Sequence, residues 1–81
     1  MIKLVITVIG HTAWYYNDYP HRANGPAIIY PDGAQFWFYN GHRHRNSGPA
    51  VTLSNYYVEY WVKGQELSEY EHMFITGNNN D

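Results

Sequence analysis

Five histidines stand out in a chain of only 81 residues. His42 and His44 flank Arg43, so an extended segment would carry both imidazoles on one face, and His21 lies 23 residues before His44. Three imidazoles could hold zinc. However, His21 and His44 recur with the same neighbours, so they answer a need of a repeated unit, and zinc sites do not usually recur that way. No metal site and no cofactor are assigned. The expected role of each His-Arg pair is structural: bonding turn carbonyls and capping the sheet edge. Arg22, Arg43 and Arg45, set among aromatics, have the composition that grips phosphate or single-stranded nucleic acid by charge and stacking. A nucleotide-type small ligand is the related alternative. The formal net charge of −2 argues against nucleic acid as the partner. Residues 1–58 carry Lys3, Arg22, Arg43 and Arg45 against Asp18 and Asp32, a weakly basic half. Residues 59–81 carry Lys63 against Glu59, Glu66, Glu69, Glu71 and Asp81, an end able to dock on a basic protein surface.

The residues of catalysis are missing. There is no cysteine and no G-x-S-x-G nucleophile turn. No Gly-rich phosphate loop precedes a helix. The carboxylates gather in the segment after residue 65, where they suit a helix N-terminus. The chain is not expected to be an enzyme.

A chain of this length makes one domain. Charged residues are 15% and aromatics 19%, with nine Tyr, three Trp and three Phe. A domain this small buries only about 60% of its unfolded surface, so spare aromatic surface is expected to meet a partner. The run Ile2 to Ile9, IKLVITVI, is far short of a membrane helix, and no signal-peptide cleavage pattern follows it. Its isoleucines and valines favour a strand. The expected location is the cytoplasm, with no membrane partner.

The residues named above sit on a repeat. HRANGPA at 21–27 and HRNSGPA at 44–50 agree at five of seven positions. The same 23-residue step pairs Gly10 with Gly33, Trp14 with Trp37 and Tyr60, and Asn17 with Asn40. The units are about 5–27, 28–50 and 51–67. In the last, Leu67 and Ser68 replace His-Arg, as a terminal unit with no further neighbour allows. In the middle unit Ala27–Tyr30 is β-prone, Pro31-Asp32-Gly33 is a turn, Ala34–Tyr39 is strongly β-prone, and Asn40-Gly41 is a hairpin turn. The fold expected is all-β: an antiparallel meander of about six strands in three two-strand units. A short helix at about 68–75 should follow, started by Ser68-Glu69-Tyr70-Glu71 and stopped by Gly77. Leu67, Tyr70 and Phe74 are spaced to share one side of it. The whole makes a single repeat domain over 1–77 with a disordered polar tail at 78–81.

This pattern resembles a MORN-like repeat. The matching residues are His21-Arg22, Gly25-Pro26-Ala27, Asp32-Gly33, Trp37-Phe38, Asn40-Gly41, His44-Arg45 and Gly48-Pro49-Ala50. The resemblance covers residues 10 to 67 and is closest to a variant found in small phage and large-virus proteins. It implies repeat architecture, brings no catalytic residues, and is compatible with a small phage or viral accessory protein that binds and inhibits a host defence protein.

Strand alternation then sorts the aromatics. Trp14, Trp37 and Tyr60 form one column and Tyr16, Tyr39 and Val62 another, both expected to be buried together with Val5, Ile28, Tyr30, Val51 and Leu53. Tyr15, Phe38 and Trp61, with Phe36 and Tyr57 nearby, fall on the opposite face. A single-layer sheet should be polar there, so this face is the expected site of a homodimer or host-protein contact. The candidate binding residues are therefore Tyr15, Phe36, Phe38, Trp61, Tyr57, Arg22, Arg43 and Arg45.

Overall fold

The computed structural model describes residues 2–7 and 9–77; the expected tail at 78–81 lies outside them. The described residues form strands β1 (Ile2–Ile6), β2 (Thr12–Tyr16), β3 (Tyr19–Pro20), β4 (Ile28–Ile29), β5 (Gln35–Phe36), β6 (Phe38–Tyr39), β7 (His42–Arg43), β8 (Val51–Thr52), β9 (Val58–Val62) and β10 (Gln65–Leu67), then helix α1 (Glu69–Thr76). An open sheet of eight strands runs in the order β1-β2-β4-β5-β8-β9-β10, with β3 paired to β2. β6 and β7 make a separate two-stranded ladder. Every pairing is antiparallel. The chain is thus an all-β meander ending in one short helix.

The strands outnumber the six expected because the long runs change partner midway. Gln35–Phe36 pairs with Val51–Thr52, whereas Phe38–Tyr39 pairs with His42–Arg43. Trp37, between them, donates its amide to Ala50 O at 2.7 Å and accepts the His44 amide at 3.1 Å.

The 23-residue step reappears in the hydrogen bonds. The amides of Thr7, Tyr30 and Leu53 each donate 2.9 Å to His11, Ala34 and Tyr57. Trp14 N reaches Ala27 O as Trp37 N reaches Ala50 O, and Arg22 N reaches Phe38 O as Arg45 N reaches Trp61 O. The hairpin turns repeat too. Asn17, Asn40 and Lys63 have φ of 50, 51 and 52°, and Asp18, Gly41 and Gly64 follow at 69, 82 and 80°. Two successive positive φ values give the twist that suits a two-residue hairpin.

Of the residues that alternation placed in the core, Val51 is deeply buried as expected, Val5, Ile28 and Leu53 are half-buried, and Tyr30 is exposed. The deeply buried apolar residues are Ala13, Ala27, Ala34, Ala50 and Val51. Trp14, Trp37 and Tyr60 are only half-buried, and Tyr16 and Tyr39 remain 40% and 47% exposed. The physical reason is that one sheet has no second layer to press its aromatics against. The tightest space lies within the sheet instead. Ala27 N bonds Phe36 O while Ile28 also pairs with Phe36, and Ala50 and Val51 oppose Glu59 in the same way. Two residues against one is a β-bulge, and alanine fits its crowded inner position.

Helix α1 begins as expected. Ser68 Oγ accepts the Glu71 amide at 3.1 Å, and Glu71 Oε1 accepts the Ser68 amide at 2.8 Å. Gly77 closes it in the left-handed conformation at φ 77°. This cap sets the helical phase so that His72 faces the sheet and is buried, while Tyr70 and Phe74 face outward.

Candidate functional site

The tryptophans of the first two units are roofed by arginines from their own units. Arg22 Cζ lies 3.9 Å above the Trp14 ring and Arg45 Cζ 3.8 Å above Trp37, close enough for cation–π attraction. Arg22 Nη1 donates to Pro26 O at 3.3 Å and Arg45 Nη1 to Pro49 O at 3.2 Å. A Cβ on Gly25 would come within 2.8 Å of the Arg22 guanidinium, and one on Gly48 within 3.2 Å of Arg45. The repeated H-R-x-x-G-P-A string can now be read residue by residue. The arginine covers the tryptophan, the glycine leaves room for it, the proline carbonyl holds it, and the alanine fills the bulge. The histidine ties the unit to the next one, for His21 Nδ1 accepts the Asn40 amide at 2.9 Å and His44 Nδ1 accepts the Lys63 amide at 3.0 Å. Arginine thus binds a turn carbonyl as expected, whereas histidine accepts from a turn amide.

The third unit lacks the arginine, and α1 substitutes for it. The His72 ring lies 5.0 Å from Tyr60, the third member of the tryptophan column, and its Nε2 N–H donates to Arg45 O at 2.6 Å. Burial raises the Tyr60 phenol above its ordinary range, and the charge of Glu69 and the hydrogen bond that the phenol donates to it raise it further.

On the opposite face Arg43 is the centre. It pairs with Glu59 at 3.6 Å and lies 5.2 Å from the Trp61 ring and 5.7 Å from Phe36. Trp61 Nε1 donates to Glu59 Oε1 at 2.8 Å, and Phe38 stands opposite Arg43 in the β6–β7 ladder. So Phe36, Phe38, Arg43 and Trp61 do come together. Tyr15 does not join them; its ladder partners are Lys3 and Pro20. Tyr57 lies in the turn before β9 and is 53% exposed. Arg22 and Arg45 belong to the tryptophan side, bordering a cleft of about 290 Å³ together with Trp37, Tyr39 and His44. Among the described residues no carboxylate lines this cleft.

The surroundings of His44 favour its neutral form. Burial lowers its pKa first, and the nearby charges of Lys63 and His72 lower it further. Protonation at Nδ1 would also cancel the bond from Lys63. A histidine whose folded-state pKa is depressed binds its proton more readily when unfolded. Stability should therefore fall as pH drops below about 6.5, the ordinary histidine value. Urea melts between pH 8 and 5 should show this slope, and His44→Asn, which keeps an acceptor without titrating, should reduce it. An unchanged slope in that variant would clear His44 of the effect.

Among the exposed apolar side chains that sequence reasoning did not assign to binding are Tyr70, Phe74 and Ile75 on α1, and Ile2, Leu4 and Ile6 on β1. The alternation within IKLVI was the available signal for the second group. The first gave none, since the spacing of Tyr70 and Phe74 says that they share a side without saying which way it faces. No family model, curated protein or solved structure matches this chain. Among the described residues no helix is long and apolar enough to cross a membrane, and no three His, Asp or Glu side chains cluster as a metal site.

Proposed function

We propose that this chain is a non-catalytic protein-binding module and that the outer face of α1 is its docking surface. The observation that carries this is a strip of Tyr70, Phe74 and Ile75, exposed by 73%, 77% and 62%. Tyr70 and Phe74 stack at 6.3 Å with rings 14° from parallel, one helical turn apart. Glu69 and Glu71 lie exposed beside them. An apolar strip with acidic neighbours fits a partner groove that is apolar within and basic at its rim. Phe36, Phe38 and Trp61 are half-buried and have less surface to give. A module that fills such a groove excludes whatever else uses it, which fits the role expected from small size, surplus aromatics and the lack of catalytic motifs, that of a small phage or viral accessory protein that inhibits a host protein.

The test is a paired capture. Phe74→Glu with Tyr70→Ala should leave melting and circular dichroism near those of the parent, because both side chains are exposed. Binding of a partner isolated with the parent chain should weaken by at least about 100-fold, the effect of losing two aromatic anchors at roughly 1.4 kcal/mol per factor of ten. Equal binding by parent and variant would remove α1 as the docking surface.

One observation favours a second reading, a nucleotide-type ligand. Arg22 and Arg45 border one cleft that, among the described residues, no carboxylate lines. Trp37 also borders it, so tryptophan emission during titration with pyrophosphate or ADP discriminates the two readings. A saturable change would support the cleft; a flat response at millimolar ligand would dispose of it.

A further inference from the structure

We propose that two copies of this chain join β1 to β1 across a two-fold axis at Leu4, making one continuous antiparallel sheet. Thr7 N donates to His11 O, continuing the β1–β2 register in which Val5 faces Ala13 and Lys3 faces Tyr15. Paired and unpaired positions alternate in an antiparallel ladder, so Lys3 and Val5 spend their amides and carbonyls on β2. Trp14, opposite Leu4, confirms the alternation, because its amide turns away to Ala27 O. The amides and carbonyls of Ile2, Leu4 and Ile6 therefore point out of the sheet edge.

The repeat shows what is missing at that edge. β4 and β8, the counterparts of β1 in the later units, each lie between two strands, whereas among the described residues β1 has β2 alone. The other end of the sheet is built differently: its edge strand β10 covers β9 over Tyr60–Val62, presents Gln65 and Glu66, and is followed by α1, which packs His72 on Tyr60. A stack of units needs a polar cap at each open end, and β1 supplies none. Ile2, Leu4 and Ile6 are 53%, 51% and 66% exposed, a flat apolar edge of the kind that pairs with another strand.

A second copy is the occupant that this edge fits. With the axis at Leu4, Ile2 meets Ile6 of the partner subunit, Leu4 meets its own counterpart, and Lys3 falls opposite Val5, so no like charges face each other. Each of these Ile and Leu positions directs its amide and carbonyl at the other copy. One capped end and one bare end per chain is what a closed two-fold dimer requires, because the bare ends meet and both helices lie outermost. Head-to-tail stacking would set Ile2, Leu4 and Ile6 against β10, whose exposed residues are Gln65 and Glu66, a poorer match for an apolar edge. Five residues a side is a small interface, so the dimer should be weak, with a Kd on the order of 10–100 µM.

Sedimentation velocity of the full chain across that range tests this, with two proline variants. Leu4→Pro removes an amide that faces solvent in the monomer, which an edge strand tolerates. It should stay monomeric at every concentration and melt like the dilute parent. Val5→Pro removes an amide bonded to β2 and should lose stability. Hydrogen exchange on the parent gives a readout that needs no variant: the Leu4 and Ile6 amides should exchange more slowly as concentration rises, while Lys3 and Val5 stay protected throughout. A parent that remains monomeric at several hundred micromolar, amides of Leu4 and Ile6 indifferent to concentration, or a Leu4→Pro chain that still dimerises would each overturn the proposal.

Discussion

Ala50→Leu is expected to remove most of the chain's folding stability and leave it marginal at room temperature. Ala50 is completely buried. Its amide donates to Glu59 at 2.9 Å and its carbonyl accepts Trp37 at 2.7 Å, so the residue is pinned to strands on both sides. It shares a bulge with Val51 opposite Glu59 and has no exposed surface. A leucine there must displace one of those strands or break the bonds that hold it. Overpacking of this kind costs about 3 kcal/mol, and a core of this size supplies only roughly 3–5 kcal/mol in total. Urea denaturation followed by tryptophan emission is the measurement. Ala50→Gly should lose only about 1 kcal/mol, the backbone entropy of glycine. If Ala50→Leu instead melts within 1 kcal/mol of the parent, the bulge has slack and the alanine of G-P-A is not there for its size. The same substitution at Ala27, one unit earlier and equally buried, should behave alike.

This limit on size explains why the repeat was legible and the core was not. The 23-residue spacing, the Asn-Gly turn at 40–41 and the Ser68–Glu71 capping box are local signals, each tied to a backbone conformation that few residues adopt. They appear in the structure as positive φ values and as reciprocal cap bonds. Which aromatics are buried is different, because it depends on whether a second layer exists. Alternation assigns Trp37 and Tyr39 to one face but says nothing about what lies over it. The cover turned out to be Arg45, an ordinarily solvated side chain, folded back over eight residues of chain. Its repeat partner Arg22 has the same spacing from Trp14, so the co-recurrence of Arg, Gly and Trp was the one available hint. Ala34–Tyr39 read as a single strand because a strand that exchanges partners at Trp37 has the same composition as one that does not.

His72→Ala is the second large effect expected, and it isolates the helix from the repeats. His72 is 2% exposed and is the largest side chain buried so completely. Sequence alone gives it no role, since a lone histidine in an acidic helix reads as a surface residue. In the structure it replaces the absent arginine of the third unit, roofing Tyr60 and donating to Arg45 O at 2.6 Å. Truncation to alanine uncovers Tyr60 and leaves the carbonyl of Arg45 without its partner. A lost hydrogen bond to a buried group costs about 1–3 kcal/mol, and the emptied ring volume adds a comparable amount. The loss should reach roughly 3 kcal/mol, with the helix leaving the sheet first. Two further substitutions divide the effect. His72→Phe keeps a ring over Tyr60 and removes the donor; His72→Gln keeps a donor at similar reach and removes the ring. Both should fall between parent and alanine. If His72→Phe matches the parent, the bond to Arg45 contributes nothing and the ring alone closes the column. If His72→Ala itself melts like the parent, α1 is not the cap of this sheet, and the outward face of Tyr70 and Phe74 has no fixed platform from which to meet a partner.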